Sequence, residues 1–337
     1  MEATGVLSDS HGRRINYLRI SLTDLCNFRC VYCTPREGLA TMPTSKYLVK
    51  EEILRFVRIA GHMGITRVRL TGGEPLLRKD IVDIVRSLKS VESVKDLSIT
   101  TNGSRLKNLV EPLKEAGLDR INISLDSLDP DRFKEITLTD CYQQVMEATF
   151  SALNAGFPVK LNMVVLNGLT SEEIIRFVRL AHDFPLEVRF LEFMPLCGSG
   201  WRPDLVLAIG TVRDIVRAHF DLKELPRKDN VAQAYEIVGG KGKVGFIASL
   251  TESFCDQCSR IRLSADGRIQ PCLFSNQEVS VKALLRENAP DEKIMDAIRY
   301  AAQIKPRGNW FRDNPFRPDD LIDESLLSTP MIRKIGG

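Results

Sequence analysis

A repeating unit between residues 14 and 195 constrains the fold more than any other feature of this sequence. In each unit, a short run rich in β-branched residues precedes a helical pattern of about 10 to 15 residues. Strands that alternate with helices form parallel sheets, because each helix returns the chain to the same edge. We therefore expect an α/β fold with parallel strands at residues 14–21, 67–71, 96–101, 120–126, 159–165 and 187–194.

The helical patterns lie near residues 51–62, 79–89, 105–116, 143–155, 172–182 and 211–219. After residue 220 the sequence changes to hairpin-like runs at 235–238, 244–248 and 261–263, and then to helical stretches at 280–287 and 292–303. This change predicts a boundary near residue 225. We expect one domain over residues 1–225 and a smaller α+β domain over residues 226–337.

Polar and apolar residues alternate along the predicted strands. Residues 120–126 are polar at every second position, and residues 96–100 and 160–163 repeat the pattern. The interior of a barrel that is filled by side chains is lined mostly by Val, Ile and Leu, so a polar interior indicates a binding site that holds water and ligand. The alternative is an antiparallel sheet with one face in solvent, which the intervening helices disfavour.

Charge and hydropathy exclude several classes of protein. The chain has 47 basic and 44 acidic residues, a net charge of +3, which is too small to indicate a nucleic acid or an anionic membrane as partner. No apolar run approaches the roughly 18 residues of a membrane span, and the first twenty residues lack the apolar core of a signal peptide. We expect a cytoplasmic protein that binds neither membrane nor nucleic acid.

Six of the eight cysteines form two groups of three, and cysteines that stay reduced in the cytoplasm and cluster in this way indicate metal. Cys26, Cys30 and Cys33 have the spacing C-x3-C-x2-C directly after the first strand. Structural zinc closes its shell with four ligands, and an iron–sulfur cubane ordinarily takes four cysteines, so three would leave one iron open.

The second group has the spacing C-x2-C-x13-C and also stops at three cysteines: Cys255, Cys258 and Cys272. Its spacing leaves two alternatives open, namely zinc with a remote fourth ligand and a second cubane with an open iron. Cys141 and Cys197 are isolated, and we expect them to be small apolar fillers or incidental thiols.

A set of cations is expected to converge on the polar interior: Arg19, Arg67, Arg69, Lys160, Arg189, Arg260 and Arg262. Unpaired cations in a partly dry site are costly, so this set calls for an anion of several charges. Arginine binds phosphate oxygens in pairs, which favours a triphosphate. The alternative is internal neutralisation by Asp24, Glu74, Asp126 and Glu192.

Two motifs resemble those of the radical S-adenosylmethionine (SAM) superfamily. One is the cysteine motif at residues 26–33, with an aromatic residue before its last cysteine, and the other is the TGGEP run at residues 71–75. The resemblance implies that SAM chelates the open iron, that an electron from the cluster cleaves its sulfonium, and that the resulting 5′-deoxyadenosyl radical abstracts hydrogen from a substrate. The residues implied around SAM are Tyr32, Gly73, Glu74, Ser124 and Met194.

The remaining motifs are similar to those of the molybdenum cofactor biosynthesis protein A family, the GTP 3′,8-cyclases. The similarity covers nearly the whole chain, and its specific features are the CDQCSRIRL run at 255–263 and the terminal Gly336 and Gly337. It implies a partial (β/α)6, TIM-like radical SAM barrel and a small C-terminal α+β domain with a second iron–sulfur cluster. In one departure from the family, Leu25 stands where many relatives carry a basic residue.

This family is a group of lyases that convert GTP to (8S)-3′,8-cyclo-7,8-dihydroguanosine 5′-triphosphate, the first step of molybdenum cofactor (molybdopterin) biosynthesis. The resemblance implies two [4Fe–4S] clusters, one on the catalytic Cys26, Cys30 and Cys33 and one on Cys255, Cys258 and Cys272. The implied GTP contacts are Arg19, Arg69, Thr100, Lys160, Arg260 and Arg262, with Arg67 and Arg189 as helpers.

The implied partners are GTP, SAM, an electron donor and the next enzyme of the molybdopterin pathway. The oligomeric state is left open, with a homodimer as one candidate. Two other functions are weighed against this one: a peptide-modifying radical SAM enzyme with an auxiliary cluster, and a non-enzymatic zinc or nucleic-acid-binding module. The first usually carries more C-terminal cysteines, and the second would contain zinc rather than iron and sulfide.

Overall fold

A single mixed sheet organises the chain in the computed structural model, which describes residues 5–33, 41–196, 199–227 and 231–314. Cys197, Gly336 and Gly337 lie outside the described residues. The strands are β1 (Tyr17–Ser21), β2 (Arg67–Thr71), β3 (Asp96–Thr101), β4 (Arg120–Ser124), β5 (Val159–Val165), β6 (Glu187–Glu192), β7 (Leu222–Glu224), β8 (Gln233–Ile237), β9 (Lys243–Ile247), β10 (Arg260–Leu263), β11 (Arg268–Gln270) and β12 (Val279–Ser280).

In the described residues, the helices pack buried side chains into the main apolar core, except for the last helix, whose Phe311 belongs to a smaller cluster. They are α1 (Lys50–His62), α2 (Ile81–Lys89), α3 (Val110–Glu115), α4 (Pro130–Thr137), α5 (Tyr142–Asn154), α6 (Ser171–Asp183), α7 (Ile209–Arg217), α8 (Lys282–Arg286), α9 (Asp291–Gln303) and α10 (Trp310–Asp313). No helix in the described ranges has both the length and the apolar character needed to cross a membrane.

The strand order is β12-β11-β10-β1-β2-β3-β4-β5-β6-β9-β8-β7. The eight strands from β10 to β9 pair in parallel, and antiparallel hairpins extend both edges. The predicted α/β class with a parallel sheet is confirmed. The sheet runs continuously across residue 225, because β9 pairs with β6 and β10 pairs with β1; the domain division there stays a prediction.

The predicted alternation along the strands has a structural counterpart. Leu18, Ile20, Val68 and Leu70 are fully buried in the main apolar core, while the intervening residues point to the other face of the sheet. In the parallel register Arg19 neighbours Arg262 on one side and Arg69 on the other. Alternation therefore gives the strands an apolar face toward the helices and a cationic face toward the interior.

Several boundaries differ from the prediction. The strand predicted at 120–126 ends at Ser124, because the Asp126 side chain itself accepts the Val164 N–H (3.0 Å) in place of a ladder bond. The first strand begins at Tyr17 rather than at 14, because residues 9–13 form a turn closed by Asp9 and Arg13. Helix α4 and strands β7, β11 and β12 were not predicted.

Candidate active site

Both cysteine groups line one cavity, together with residues along the parallel strands from Tyr17 at the start of β1 to Asp126 after the end of β4. Its wall includes the sulfur-bearing residues of the first loop and of the second group: Cys26, Cys30, Cys33, Cys255, Cys258 and Cys272. The three cysteines of each group share this wall without converging on one ion position, and no group of three His, Cys, Asp or Glu side chains in the described ranges could hold a metal ion as it stands. The structure thus brings together two groups that are more than 220 residues apart in sequence.

Helix α4 holds the first cysteine loop in place. The Arg29 and Val31 N–H groups donate to the carbonyls of Thr137 (3.1 Å) and Ile136 (2.9 Å) at the end of this helix. Phe28, which is buried, packs edge-to-face on Phe133 with a centroid distance of 5.9 Å. Two backbone bonds and one aromatic contact therefore fix the position of the loop. The signal for this helix was present in the sequence, since Asp-Pro is a common helix start.

Two glycines bring the TGGEP loop against the segment that leads into Cys26. A Cβ added at Gly73 would lie 2.1 Å from the Leu25 carbonyl oxygen, and Gly72 has a φ of +142° that side chains rarely adopt. The Gly73 and Glu74 N–H groups donate to the carbonyls of Thr23 and Leu25, both at 2.7 Å. Leu25 thus contacts the loop through its backbone, and this contact is independent of its side chain.

Glu74 links the loop to the end of β3. Its carboxylate accepts hydrogen bonds from Leu76 N–H (3.0 Å), the Thr101 hydroxyl (2.7 Å) and Asn102 N–H (2.7 Å). Burial raises the pKa of Glu74 to about 7, although these hydrogen bonds act in the opposite direction. The Asn102 side chain then donates to Asn27 in the first cysteine loop (2.9 Å). Glu74 therefore holds the glycine loop, β3 and the cysteine loop in one network.

The other residues expected around SAM also line the cavity: Tyr32, Gly73, Glu74, Ser124 and Met194. The Tyr32 hydroxyl donates to Asp126 Oδ2 at 2.5 Å, and Oδ1 of the same carboxylate accepts the Val164 N–H. Burial raises the pKa of Asp126 to about 6. This pair fixes the aromatic residue of the cysteine motif against the end of β4.

Two buried cations hold the second cysteine group, and the sequence did not indicate either of them. Lys305, which is 2% exposed, donates to the carbonyls of Arg260 (2.9 Å) and Pro271 (2.6 Å). Arg13 donates to the carbonyl of Cys255 (2.8 Å) and to those of the two residues after Lys305. Both bind backbone carbonyls, so no residue pattern along the chain could have identified them.

The thiol of Cys258 differs electrostatically from that of Cys30. Burial alone raises the pKa of Cys258, but the charges of Arg260 and Lys305 and the hydrogen bonds from Arg260 outweigh it and lower the pKa to about 6. Burial and the nearby Asp126 carboxylate raise the pKa of Cys30 well above its ordinary value. At neutral pH the second group therefore offers a thiolate, the form that binds metal.

The structure brings five of the seven predicted cations to the cavity, together with Thr100: Arg19, Arg69, Arg189, Arg260 and Arg262. Arg67 and Lys160 are not part of its lining. Arg67 donates to Asn16 Oδ1 (3.2 Å) and Ser259 Oγ (3.1 Å), and Lys160 pairs with Glu187 (2.7 Å). Glu187 also pairs with Arg189 (2.5 Å), so this one carboxylate neutralises part of the cationic set.

The four carboxylates considered as internal counter-ions are bound to neutral donors instead. Glu192 accepts from the N–H groups of Ile209 (3.1 Å) and Leu250 (2.7 Å) and from both donors of Thr251. Asp24 accepts from Met42 N–H (2.9 Å) and from the Tyr47 hydroxyl. Glu74 and Asp126 likewise accept from backbone N–H groups and hydroxyls, as described above.

The cavity wall is prepared for an anion. Burial, reinforced by the charge of Arg260, lowers the pKa of Arg262 to about 10, which shows how closely the positive charges are packed. Polar atoms of the wall that are buried without a hydrogen-bond partner in the described residues include Tyr17 OH, Thr100 Oγ1, Asn162 Oδ1 and Ser249 Oγ. Such atoms are rare in native proteins unless a ligand or water completes them.

Comparison with known proteins agrees with these features. The radical SAM superfamily model matches residues 20–181, and the model named Molybdenum Cofactor Synthesis C matches residues 186–311. Among solved structures, SuiB of Streptococcus suis bound to S-adenosylmethionine has a TM-score of 0.58 at 18% identity, over 94% of this chain and 79% of that chain. This similarity supports the fold.

Similarity to named relatives extends over most of the chain. It is 40% identical to the GTP 3′,8-cyclase of Thermodesulfovibrio yellowstonii, over 94% of this chain and 99% of the relative. It is 42% identical to the GTP 3′,8-cyclase of Alkaliphilus oremlandii, over 98% and 100%. The Drosophila melanogaster molybdenum cofactor biosynthesis protein 1 is 43% identical over 89% of this chain, which spans about half (54%) of that relative. The resemblance inferred from the motifs is confirmed, and the two alternative functions are not favoured: this chain belongs to the GTP 3′,8-cyclase family of the radical SAM superfamily.

Proposed function

We propose that this chain converts GTP to (8S)-3′,8-cyclo-7,8-dihydroguanosine 5′-triphosphate with SAM as co-substrate, in the first step of molybdenum cofactor biosynthesis. The observation that carries the proposal is the shared cavity. Both three-cysteine groups and five arginines line it. A reaction that joins two parts of one nucleotide needs the radical source and the nucleotide site to face one enclosed space.

The residues present fit two iron–sulfur clusters and SAM. Each group offers three thiols, which are soft ligands suited to iron–sulfur clusters, and the glycine loop lines the same cavity as the first group. Cys26, Cys30 and Cys33 would hold one cluster, and Cys255, Cys258 and Cys272 the other. When bound, the clusters and SAM would supply the electron transfer and the radical chemistry of the reaction.

On the SAM side, the proposed role of the chain's own residues is to position the two loops and to enclose SAM. Glu74 and the Tyr32–Asp126 pair fix the glycine loop and the cysteine loop relative to the strand ends. Ser124 and Met194 line the same cavity. Their proposed role is to bind SAM in one orientation, since misplacement by about 1 Å costs roughly a hundredfold in rate.

On the GTP side, the proposed contacts are those arginines that line the cavity, together with Thr100, whose buried hydroxyl has no partner within the described residues. A guanidinium donates two parallel hydrogen bonds to phosphate oxygens, which suits a triphosphate. Arg67 and Lys160 do not line the cavity, and we assign them a supporting role through Ser259 and Glu187.

The proposal includes an electron donor and a following enzyme of the molybdopterin pathway as partners, and a cytoplasmic location. A homodimer remains one candidate for the oligomeric state. These partners follow from the chemistry, since the reaction consumes an electron and yields a triphosphate intermediate that a further enzyme must use.

The test separates the two cysteine groups. Anaerobically reconstituted protein, with about eight irons per chain, is incubated with SAM, dithionite and GTP, and both SAM cleavage and the nucleotide product are measured. We expect Cys30→Ala to abolish SAM cleavage, and Cys272→Ala to retain SAM cleavage while losing the cyclised product. Cys141→Ala is the matched control, because Cys141 is a half-buried thiol outside the cavity wall. A fully loaded wild-type protein that forms no GTP-derived product would refute the proposal.

A further inference from the structure

Tyr17 is a buried residue of the cavity wall to which the motifs assign no role. It opens strand β1, is 4% exposed and lines the cavity. In the parallel register its neighbours on both adjacent strands are arginines, Arg260 on β10 and Arg67 on β2. Its hydroxyl is buried and has no hydrogen-bond partner within the described residues.

The surroundings of this hydroxyl are cationic. The guanidinium carbons of Arg67 and Arg69 lie 4.8 Å and 5.5 Å from the centroid of the Tyr17 ring, so the ring supports two arginines through cation–π contacts. The carboxylate of Asp96 on the next strand is bound through both oxygens to Arg120 (2.9 Å and 2.5 Å). The side chains around the Tyr17 hydroxyl are arginines, and a guanidinium has no atom that can accept a hydrogen bond from it.

An acceptor for this hydroxyl must therefore come from beyond the described residues. Leaving a buried hydroxyl unbonded costs free energy, and an anion that the arginines attract is the acceptor that would satisfy it. Burial raises the pKa of Tyr17, but the charges of Arg69, Arg19, Arg120 and Arg260 outweigh it and the net pKa is below its ordinary value of 10.0. The hydroxyl is accordingly a stronger hydrogen-bond donor than that of an ordinary tyrosine.

The location of Tyr17 selects between the two proposed ligands. Tyr17 begins β1, while the first cysteine loop follows the carboxyl end of that strand, about 13 Å away at the usual rise of an extended chain. SAM is expected at that far end. The charged end of the nucleotide is the anion expected among the arginines around Tyr17.

We propose that Tyr17 is a binding residue for the triphosphate of the nucleotide: its hydroxyl donates to a phosphate oxygen, and its ring holds Arg69 in position beside that phosphate, with Arg67 against the same ring. The inference rests on the proposed function, because it takes GTP as the ligand. It adds a neutral donor to a site otherwise described by cations, and it gives Arg67 a role although that residue does not line the cavity.

The test compares GTP with guanosine, which has no phosphate, by equilibrium dialysis against anaerobically reconstituted protein. We expect Tyr17→Phe, which keeps the ring and loses only the hydroxyl, to weaken GTP binding by about tenfold to a hundredfold and to change guanosine binding by less than about twofold. Tyr17→Leu, which also removes the support for the arginines, should weaken GTP binding further. Tyr235→Phe is the matched control, because Tyr235 is also 4% exposed and carries Arg217 at 5.6 Å, but lies on β8 outside the cavity wall.

The outcomes separate this inference from the proposed function. If Tyr17→Phe binds GTP within about twofold of the wild type, or loses GTP and guanosine equally, the inference is wrong while the proposed function stands. If the wild-type protein itself binds GTP no better than guanosine, the triphosphate site of the proposed function fails, and the inference fails with it. An unchanged thermal unfolding midpoint for Tyr17→Phe shows that the comparison concerns binding and not folding.

Discussion

At the scale of single residues, the site depends on positions where no larger side chain fits. Gly73 is the clearest example, because a Cβ added there would lie 2.1 Å from the carbonyl oxygen of Leu25. Real Cβ atoms do not approach a backbone oxygen this closely, so any substitution moves one of the two segments. One of them leads directly into Cys26, which ties the geometry of the cluster loop to the absence of a side chain.

Gly73→Ala should therefore lower the rate of SAM cleavage by roughly a hundredfold, the usual cost of misplacing reacting groups by about 1 Å. Reconstituted protein is assayed for 5′-deoxyadenosine. Gly210→Ala is the control, because Gly210 lies in α7 with open space around its Cβ position; it should leave the rate unchanged and raise the free energy of unfolding by up to about 1 kcal/mol. Equal effects of the two substitutions would contradict the argument.

At the scale of elements, α4 acts as the support of the first cysteine loop. Asp129 caps this helix by accepting from the N–H groups of Asp131 and Arg132, both at 3.0 Å, and Pro130 occupies its first turn. The other end of the helix receives the backbone hydrogen bonds of Arg29 and Val31. The position of the first cysteine loop therefore depends on the stability of this short helix.

Asp129→Ala should lower the free energy of unfolding by about 1 kcal/mol through loss of the cap and should also slow SAM cleavage. The control is Thr170→Ala, which removes the cap of α6, where the Thr170 hydroxyl accepts from Glu173 N–H at 3.3 Å. It should cost a similar free energy without a change in SAM cleavage. Chemical denaturation and the 5′-deoxyadenosine assay measure the two effects; parallel loss of activity in both variants would show that stability alone is responsible.

At the scale of the whole molecule, segments near the two ends of the described chain meet beside the second cysteine group. Strands β9 and β10 extend the parallel sheet at its two edges, and Arg13 binds carbonyls of Cys255, Pro306 and Arg307. Lys305 joins β10 to the residue before Cys272. The second cysteine group is therefore held by segments from both ends of the sequence, which meet only in the folded chain.

Lys305→Met should leave two buried carbonyl oxygens without their donor and lower the free energy of unfolding by roughly 2 kcal/mol or more. We also expect the iron content to fall from about eight toward about four per chain, because the second group loses its anchor while the first keeps α4. Iron and sulfide analysis measures this. Lys282→Met is the control, since Lys282 donates to a carbonyl of Lys46 (2.6 Å) at an exposed position. Retention of all iron by Lys305→Met would contradict the assigned role.

Sequence alone determined the parallel α/β class, the cysteine spacing, the glycine loop and most of the cationic set. Each of these features can be predicted from residues close together in the sequence, because strand alternation, turn chemistry and ligand spacing extend over only a few residues. The missed helix α4 had such a local signal at Asp129 and Pro130. The ends of β4 at Ser124 and of β6 at Glu192 had no local signal in the sequence. At both places a carboxylate accepts a backbone N–H of a distant segment, Asp126 from Val164 and Glu192 from Ile209.

Only the tertiary structure decided which of these residues face one another. It kept Arg67 and Lys160 out of the cavity lining and paired Glu187 with two cations. It also brought Lys305 and Arg13 to the second cysteine group. It also left the Tyr17 hydroxyl among arginines. These contacts join residues far apart in the chain, and many are made to backbone carbonyls, which are the same for every amino acid and therefore leave no trace in the order of the side chains.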